Sequence, residues 1–324
     1  MARGKRVLSP FLPAWWLGNP HLQTLWPYLF RGAPALTYQN ERLELPDGDF
    51  VDLSWTPNTS GPLVAVFHGL EGSIHSPYAA AMMAAIHRRG WRGVLMHFRG
   101  CSGTPNRLDR AYHSGETGDI EFLIRTLCNR FPGTAIASIG YSLGGNAMLK
   151  YLGTVAASAG VDAAVAVSVP YLLHESAKRL SQGFSQVYQF HLVRSLKRKV
   201  RRKFSNKPAP FDLARLDSLN TFYQFDDAIT APMHGFAGVD DYYTRSSSRQ
   251  YLSGIRVPAL LIHAEDDPFM TPSSIPDENE LPDNVMLEVS SGGGHVGFIG
   301  GQIPGKAEYW LEQRIINYLD LYLT

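Results

Sequence analysis

AIASIGYSLGGN, residues 135–146, is the most informative stretch of this sequence. It begins as an apolar, β-rich run, continues through the pattern Gly-x-Ser-x-Gly and leads directly into a segment with helical character. A serine on such a sharp strand-to-helix turn has a strained backbone that places its hydroxyl above the sheet, and the residues two before and two after it must be small. Gly140 and Gly144 meet that requirement. We therefore take Ser142 as a candidate nucleophile, although a Gly/Ser-rich loop without a chemical role fits the five residues equally well.

The composition is that of an ordinary globular protein. Of the 324 residues, 44% are hydrophobic and 18% are charged, which excludes a disordered chain. The formal net charge of +1 gives no overall reason to expect a nucleic-acid partner. The two cysteines, Cys101 and Cys128, are too few for a disulfide framework. No apolar run reaches the ~18 residues of a membrane-spanning helix. We expect a cytoplasmic protein with at most peripheral membrane contact.

Apolar strands alternate with helical segments from residue 62 onward. Five runs predict buried strands: 63–67, 93–98, 135–141, 163–169 and 259–263. Because these strands are apolar throughout and helical patterns separate them, we predict an α/β fold with a mostly parallel sheet and helices on both faces. Two earlier segments, 41–45 and 50–55, flank a Pro-Asp-Gly turn and predict an antiparallel hairpin.

The alternation stops between residues 170 and about 255, where the pattern is helical. We interpret this segment as a helical cap inserted into a single domain of residues 1–324. Residues 1–40 are rich in aromatic and turn-forming residues, and we expect an irregular segment that packs its rings on the domain. One helix of the cap, residues 190–204, has an apolar stripe: Phe190, Val193, Leu196, Val200 and Phe204.

The same helix carries seven basic residues between positions 194 and 203: Arg194, Lys197, Arg198, Lys199, Arg201, Arg202 and Lys203. They fit a contact with a membrane surface or an anionic substrate. We favour the alternative, a lid helix with a solvated polar face, and keep peripheral membrane contact as an open hypothesis.

A nucleophilic serine needs a base within hydrogen-bond reach and a third group that orients the base. For the acid we choose Asp267, which follows the strand ending at His263 and therefore lies on the same edge of a parallel sheet as the serine turn. Glu265 and Asp266 are then expected to be solvated turn residues. For the base we choose His295, which lies in a glycine-rich loop after the last short strand.

The negative charge that develops on the substrate oxygen requires N–H donors. We expect one from the backbone of Leu143, directly after the serine, and a second from Leu70 in the loop HGLEGS at residues 68–73. His68 would shape this loop, and a role as a second base is the alternative.

Six stretches of the chain resemble the α/β-hydrolase superfamily, and within it the YheT-like hydrolases, related to the eukaryotic ABHD1/ABHD3 group and plant EMB8-type proteins. They are NPHLQT at 19–24, HGLEGS at 68–73, FRGCSG at 98–103, GYSLGGN at 140–146, DPF at 267–269 and GGHVGF at 293–298. The resemblance implies a triad of Ser142, Asp267 and His295 that acts on carboxylic esters. Eukaryotic relatives carry an N-terminal membrane anchor and we expect none in this protein, so the resemblance does not imply membrane-lipid substrates.

We therefore predict a serine esterase that cleaves small-molecule or lipid esters through an acyl-enzyme, without a cofactor or a metal ion. Acyl transfer to an alcohol is a second enzymatic hypothesis. A non-catalytic binding protein that retains the fold, with the basic helix as its contact surface, is the hypothesis from another class.

Overall fold

The computed structural model describes residues 4–58 and 60–323, and its centre is a sheet of nine strands. In chain order the strands are β1 Lys5–Leu8, β2 Gln39–Glu44, β3 Phe50–Trp55, β4 Leu63–Phe67, β5 Arg92–His97, β6 Ile136–Tyr141, β7 Ala163–Val167, β8 Ala259–Ala264 and β9 Val285–Ser290. A separate two-stranded sheet contains β10 Ile299–Gly300 and β11 Glu308–Tyr309.

The strand order across the large sheet is β1-β9-β8-β7-β6-β4-β5-β3-β2. All neighbours are parallel except β3, which runs antiparallel to β5, and β2, which forms the predicted antiparallel hairpin with β3. The prediction of a mostly parallel sheet is confirmed. Because the carboxyl ends of parallel strands share one edge, the loops that follow β4, β6, β8 and β9 meet there.

Ten α-helices accompany the sheets in the described part of the chain. They are α1 Pro20–Phe30, α2 Pro77–Arg88, α3 Gly118–Arg130, α4 Leu143–Val155, α5 Leu173–Leu180, α6 Ser185–Lys203, α7 Phe222–Phe225, α8 Ala231–Met233, α9 Val239–Ser246 and α10 Trp310–Leu319. One apolar cluster joins α3 and α4 to the sheet, and a second joins α2 and α10 to it, so helices cover both faces as predicted.

The N-terminal segment differs from the prediction of an irregular structure over residues 1–40. Residues 1–3 lie outside the described residues, but β1 pairs in parallel with β9, and α1 follows. Helix α1 begins in a regular way, because the Asn19 side chain accepts hydrogen bonds from the first turn and Pro20 occupies the first helical position. This helix is hard to predict from the sequence, because the segment is rich in aromatic residues and a proline, Pro27, lies inside the helix.

Helices α5 to α9 lie between β7 and β8, in the segment that the sequence assigns to a cap. The apolar stripe of α6 includes Val193 and Val200, which are buried as expected. Phe190 is exposed instead, and Tyr188 occupies the inner face near the start of the helix. The division into one domain with a cap stays a proposal.

The helices of residues 4–58 and 60–323 include none with the length and apolar composition needed to cross a membrane.

Candidate active site

Ser142 lies at the junction of β6 and α4 with a backbone φ of 50° and ψ of −119°, a conformation that costs energy for any residue with a side chain. The turn is packed so closely that only glycine fits two residues later. A Cβ on Gly144 would lie 2.5 Å from the carbonyl oxygens of both Phe67 and His68. The serine turn and the loop after β4 are therefore in direct contact.

A continuous hydrogen-bonded chain joins the three predicted polar residues. The Ser142 Oγ lies 3.0 Å from His295 Nε2, and His295 Nδ1 lies 2.9 Å and 3.2 Å from the two carboxylate oxygens of Asp267. Asp267 is buried, and its Oδ1 also accepts the backbone N–H of Phe269 at 2.8 Å. This arrangement favours the imidazole tautomer with its proton on Nδ1, which leaves Nε2 free to accept the serine proton.

Two further contacts hold His295, one on its ring and one on its backbone. The Phe269 ring stacks on it with the ring centroids 4.0 Å apart and the planes 3° from parallel. The backbone N–H of His295 donates to Thr24 Oγ1 at 2.9 Å. Thr24 belongs to α1, so the stretch at 19–24 braces the histidine loop.

The three acidic residues of the turn after β8 lie in three different environments. Asp267 faces His295, and Glu265 is exposed as expected. The expectation that Asp266 is solvated is wrong. The residue is half-buried, and its Oδ1 accepts the backbone N–H of Gly294 at 3.0 Å. Burial raises the pKa of Asp266 above its ordinary value. Asp266 thus holds the main chain of the histidine loop, not the imidazole.

Leu143 and Leu70, the predicted N–H donors, both line the space beside Ser142. Leu143 is the first residue of α4, where the backbone N–H has no partner within the helix. The peptide between Gly69 and Leu70 is oriented by its carbonyl oxygen, which lies 2.7 Å from His68 Nδ1 and accepts the Gly72 N–H at 3.0 Å. Because carbonyl and N–H point in opposite directions across a trans peptide, these bonds fix the direction of the Leu70 N–H.

His68 uses both of its ring nitrogens in this loop. Its Nε2 accepts the Phe98 backbone N–H at 3.1 Å while its Nδ1 faces the Gly69 carbonyl. Burial lowers the pKa of His68 to about 3. These contacts support the shaping role and leave no nitrogen free for a second base.

A partly buried ion pair, which the sequence did not reveal, joins the loop after β4 to α6. The Glu71 carboxylate lies 2.6 Å from Lys199 Nζ and accepts hydrogen bonds from the Ser195 and Tyr112 hydroxyls. The Tyr112 hydroxyl also accepts the backbone N–H of Glu71 at 2.9 Å, so one phenol holds both the main chain and the side chain of this residue. The available signal was the four-residue spacing of Ser195 and Lys199, which places them on one side of the helix.

A cavity of about 410 Å³, a size typical of small-molecule sites, lies beside Ser142. Ser142, Leu143 and His295 form part of its wall, and α6 forms another part. Much of the remaining lining is apolar and includes Leu180, Leu192, Leu196, Phe222, Phe225 and Ile229. No cluster of three or more His, Cys, Asp or Glu side chains within residues 4–58 and 60–323 has an arrangement that could hold a metal ion.

The chain is similar to several known hydrolases. A family model described as "alpha/beta hydrolase fold" matches residues 62–302. The chain is 47% identical to "Putative esterase YheT" of Escherichia coli (strain K12), over 97% of this chain and 94% of that protein. It is 29% identical to the monoacylglycerol lipase of Saccharomyces cerevisiae, over 81% of this chain and 59% of that protein. The solved structure of the Pyrococcus furiosus esterase Pf2001 has the same fold, with a TM-score of 0.61, 16% identity and coverage of 100% of this chain and 98% of that one.

Proposed function

The chain belongs to the YheT-like branch of the α/β-hydrolase family and is a carboxylic ester hydrolase, and from this we propose that Ser142, His295 and Asp267 are its catalytic triad. The observation that carries the proposal is the chain of hydrogen bonds from Ser142 Oγ through the imidazole to the buried carboxylate. Such a chain supplies the base and the orienting group that a serine hydroxyl needs to act as a nucleophile.

In the proposed reaction His295 Nε2 takes the proton of Ser142 as Oγ attacks the ester carbonyl carbon. Asp267 stabilises the imidazolium that forms, and the tetrahedral intermediate collapses when His295 gives its proton to the departing alcohol. A water molecule then attacks the acyl-enzyme while His295 accepts one of its protons. The carboxylic acid leaves and Ser142 regains its hydrogen.

We assign the backbone N–H groups of Leu70 and Leu143 to the oxyanion of the intermediate. Each such donor is worth about 3 kcal/mol of the barrier when it is preorganised. The contacts that support this role are those of His68 and Gly72 with the Gly69 carbonyl, because they hold the Leu70 N–H in one direction before substrate arrives.

Lipid esters are the substrate class that we propose first, with small-molecule esters as the broader class. The apolar lining of the cavity beside Ser142 suits an acyl chain, and a relative named as a monoacylglycerol lipase supports a lipid ester. Acyl transfer to an alcohol would use the same acyl-enzyme, and ester products formed with added alcohol would identify it. The cytoplasmic location stays a prediction from the sequence.

The proposal is tested by covalent labelling with a fluorophosphonate probe, which reacts with activated serines. We expect one adduct on the folded protein, located at Ser142 by mass spectrometry, and none on Ser142→Ala. Ser102→Ala, which changes a serine outside the cavity lining, serves as the matched control and should label like the wild type. Folded wild-type protein without an adduct at Ser142 would exclude the triad and favour a non-catalytic binding protein.

Tyr112→Phe should lower kcat about 10-fold and leave KM nearly unchanged, because the lost hydroxyl no longer holds the Glu71 main chain next to the Leu70 donor. Complete loss of an oxyanion donor lowers kcat about 10²–10³-fold, which sets an upper bound on the effect of Tyr112→Phe. Steady-state hydrolysis of a p-nitrophenyl ester measures the effect. Tyr223→Phe removes an exposed hydroxyl bonded to Asp240 and is the control. Equal rates for the two variants would contradict a positioning role for Tyr112.

A further inference from the structure

Exposed apolar side chains cluster at the start of α6 and on the neighbouring α1. Phe184, Val187 and Phe190 have 51%, 42% and 59% of their surface exposed, and Leu22 of α1 has 49%. The two helices are in contact, since the His21 ring lies 4.6 Å from the Phe184 ring and 5.7 Å from the Tyr188 ring. The apolar side chains of the two helices therefore form one surface.

Positive charge continues from this apolar cluster along the same helix. Residues 171–204 contain nine Lys and Arg and one Glu, a net charge of +8 in a chain whose total is +1. Arg194, Arg198 and Arg202 are exposed and form no ion pair with any residue of the described chain. Because they follow one another at intervals of four, they lie on one side of α6, which is about 28 Å long.

We propose that this surface, which we call the α6 face and which comprises Leu22, Phe184, Val187, Phe190, Arg194, Arg198 and Arg202, docks on a bilayer that contains anionic phospholipid. A helix of this kind can lie flat on such a bilayer. Its aromatic and aliphatic side chains then enter the boundary of the acyl chains, and its arginines contact the anionic headgroups. Each arginine near the surface adds about fivefold to the affinity.

Docking through the α6 face would have a function, because part of this face borders the cavity beside Ser142. Arg198 and Arg202 border the cavity, while Val187, Phe190 and Arg194 do not line it. Docking would thus place the part of the cavity wall that Arg198 and Arg202 form next to the bilayer. Nucleic acid also presents phosphates, but its backbone has no apolar region for these side chains to enter. The apolar side chains therefore favour a bilayer over nucleic acid. This inference goes beyond the proposed ester hydrolysis and does not depend on it, because docking is a binding property.

The test is sedimentation of the full chain with vesicles of phosphatidylcholine alone and of phosphatidylcholine with about one third phosphatidylglycerol. We expect binding to the anionic vesicles, about 10-fold or more above the neutral ones, and its weakening at high salt because salt screens the arginines. Phe190→Ser and Arg194→Glu should each lower binding about fivefold or more, and the double variant should lower it further.

Matched controls change the same residue types elsewhere on the surface. Leu321→Ser removes an exposed apolar side chain and Arg125→Glu reverses an exposed arginine of α3, and both should bind like the wild type. Absence of vesicle binding, equal binding to both vesicle types, or equal losses in controls and α6 variants would overturn the proposal. Hydrolysis of a short soluble p-nitrophenyl ester, measured alongside, reports separately whether the proposed ester hydrolysis fails.

Discussion

Asp267→Asn should lower kcat for ester hydrolysis by about 10⁴-fold. An asparagine at this position can present an N–H to His295 Nδ1, where the structure has a carboxylate that accepts a hydrogen bond at 2.9 Å. The imidazole would then carry its proton on Nε2 and could not accept the proton of Ser142, and the imidazolium would lose its compensating charge. Steady-state kinetics with a p-nitrophenyl ester measure the loss.

Asp266→Asn is the matched control, since it makes the same chemical change one residue earlier in the same turn. Its side-chain oxygen can still accept the Gly294 N–H, so we expect a loss of less than about 10-fold. A large loss in Asp266→Asn with little loss in Asp267→Asn would reverse the assignment of the acid. Little loss in both variants would exclude a carboxylate from the reaction.

Three buried histidines should together remove about 6 kcal/mol from the free energy of unfolding on acidification from pH 8 to pH 5, an amount comparable to the whole stability of many proteins. Burial lowers the pKa of His68 to about 3, that of His97 to about 4 and that of His263 to about 4. Below pH 6.5 these histidines take up protons in the unfolded chain but not in the folded one, so stability falls as the pH falls. At pH 5 each histidine contributes about 2 kcal/mol to that loss.

Urea denaturation at the two pH values, followed by tryptophan fluorescence, measures the loss. His263→Leu isolates one contribution: the difference in unfolding free energy between pH 8 and pH 5 should shrink by about 2 kcal/mol, whatever the substitution does at pH 8. His191→Leu removes an exposed imidazole as a control. A pH difference that is the same in His263→Leu and the wild type would contradict the contribution of this histidine.

The sequence was sufficient to predict the sheet, and each of the three residues that it proposes for the triad follows an apolar strand of that sheet. Ser142, Asp267 and His295 are far apart in the chain, yet the parallel arrangement of β6, β8 and β9 brings their loops to one edge. The family assignment from six short stretches is confirmed by the relatives and by the family match. Local pattern and strand order thus carry most of the information about the site.

Features that depend on distant contacts could not be predicted in this way. β1 is a four-residue edge strand whose partner lies near the other end of the chain, and nothing in its own pattern indicates that partner. The ion pair of Glu71 with Lys199 depends on how α6 packs over the loop after β4. The exposure of Phe190 has the same cause, since periodicity alone does not tell which residues of a helix meet a neighbour.

The pairing of β1 with β9 also has a consequence for synthesis on the ribosome. Ser9 and Glu288, which are hydrogen-bonded at 2.8 Å, are 279 residues apart in the chain, and contacts of such separation form late in folding. The segment that carries Thr24 is translated before the histidine loop that it braces, and 271 positions separate Thr24 from His295. Ser142 can therefore meet His295 only after another 153 residues have been translated, and a shorter nascent chain carries the serine without its base.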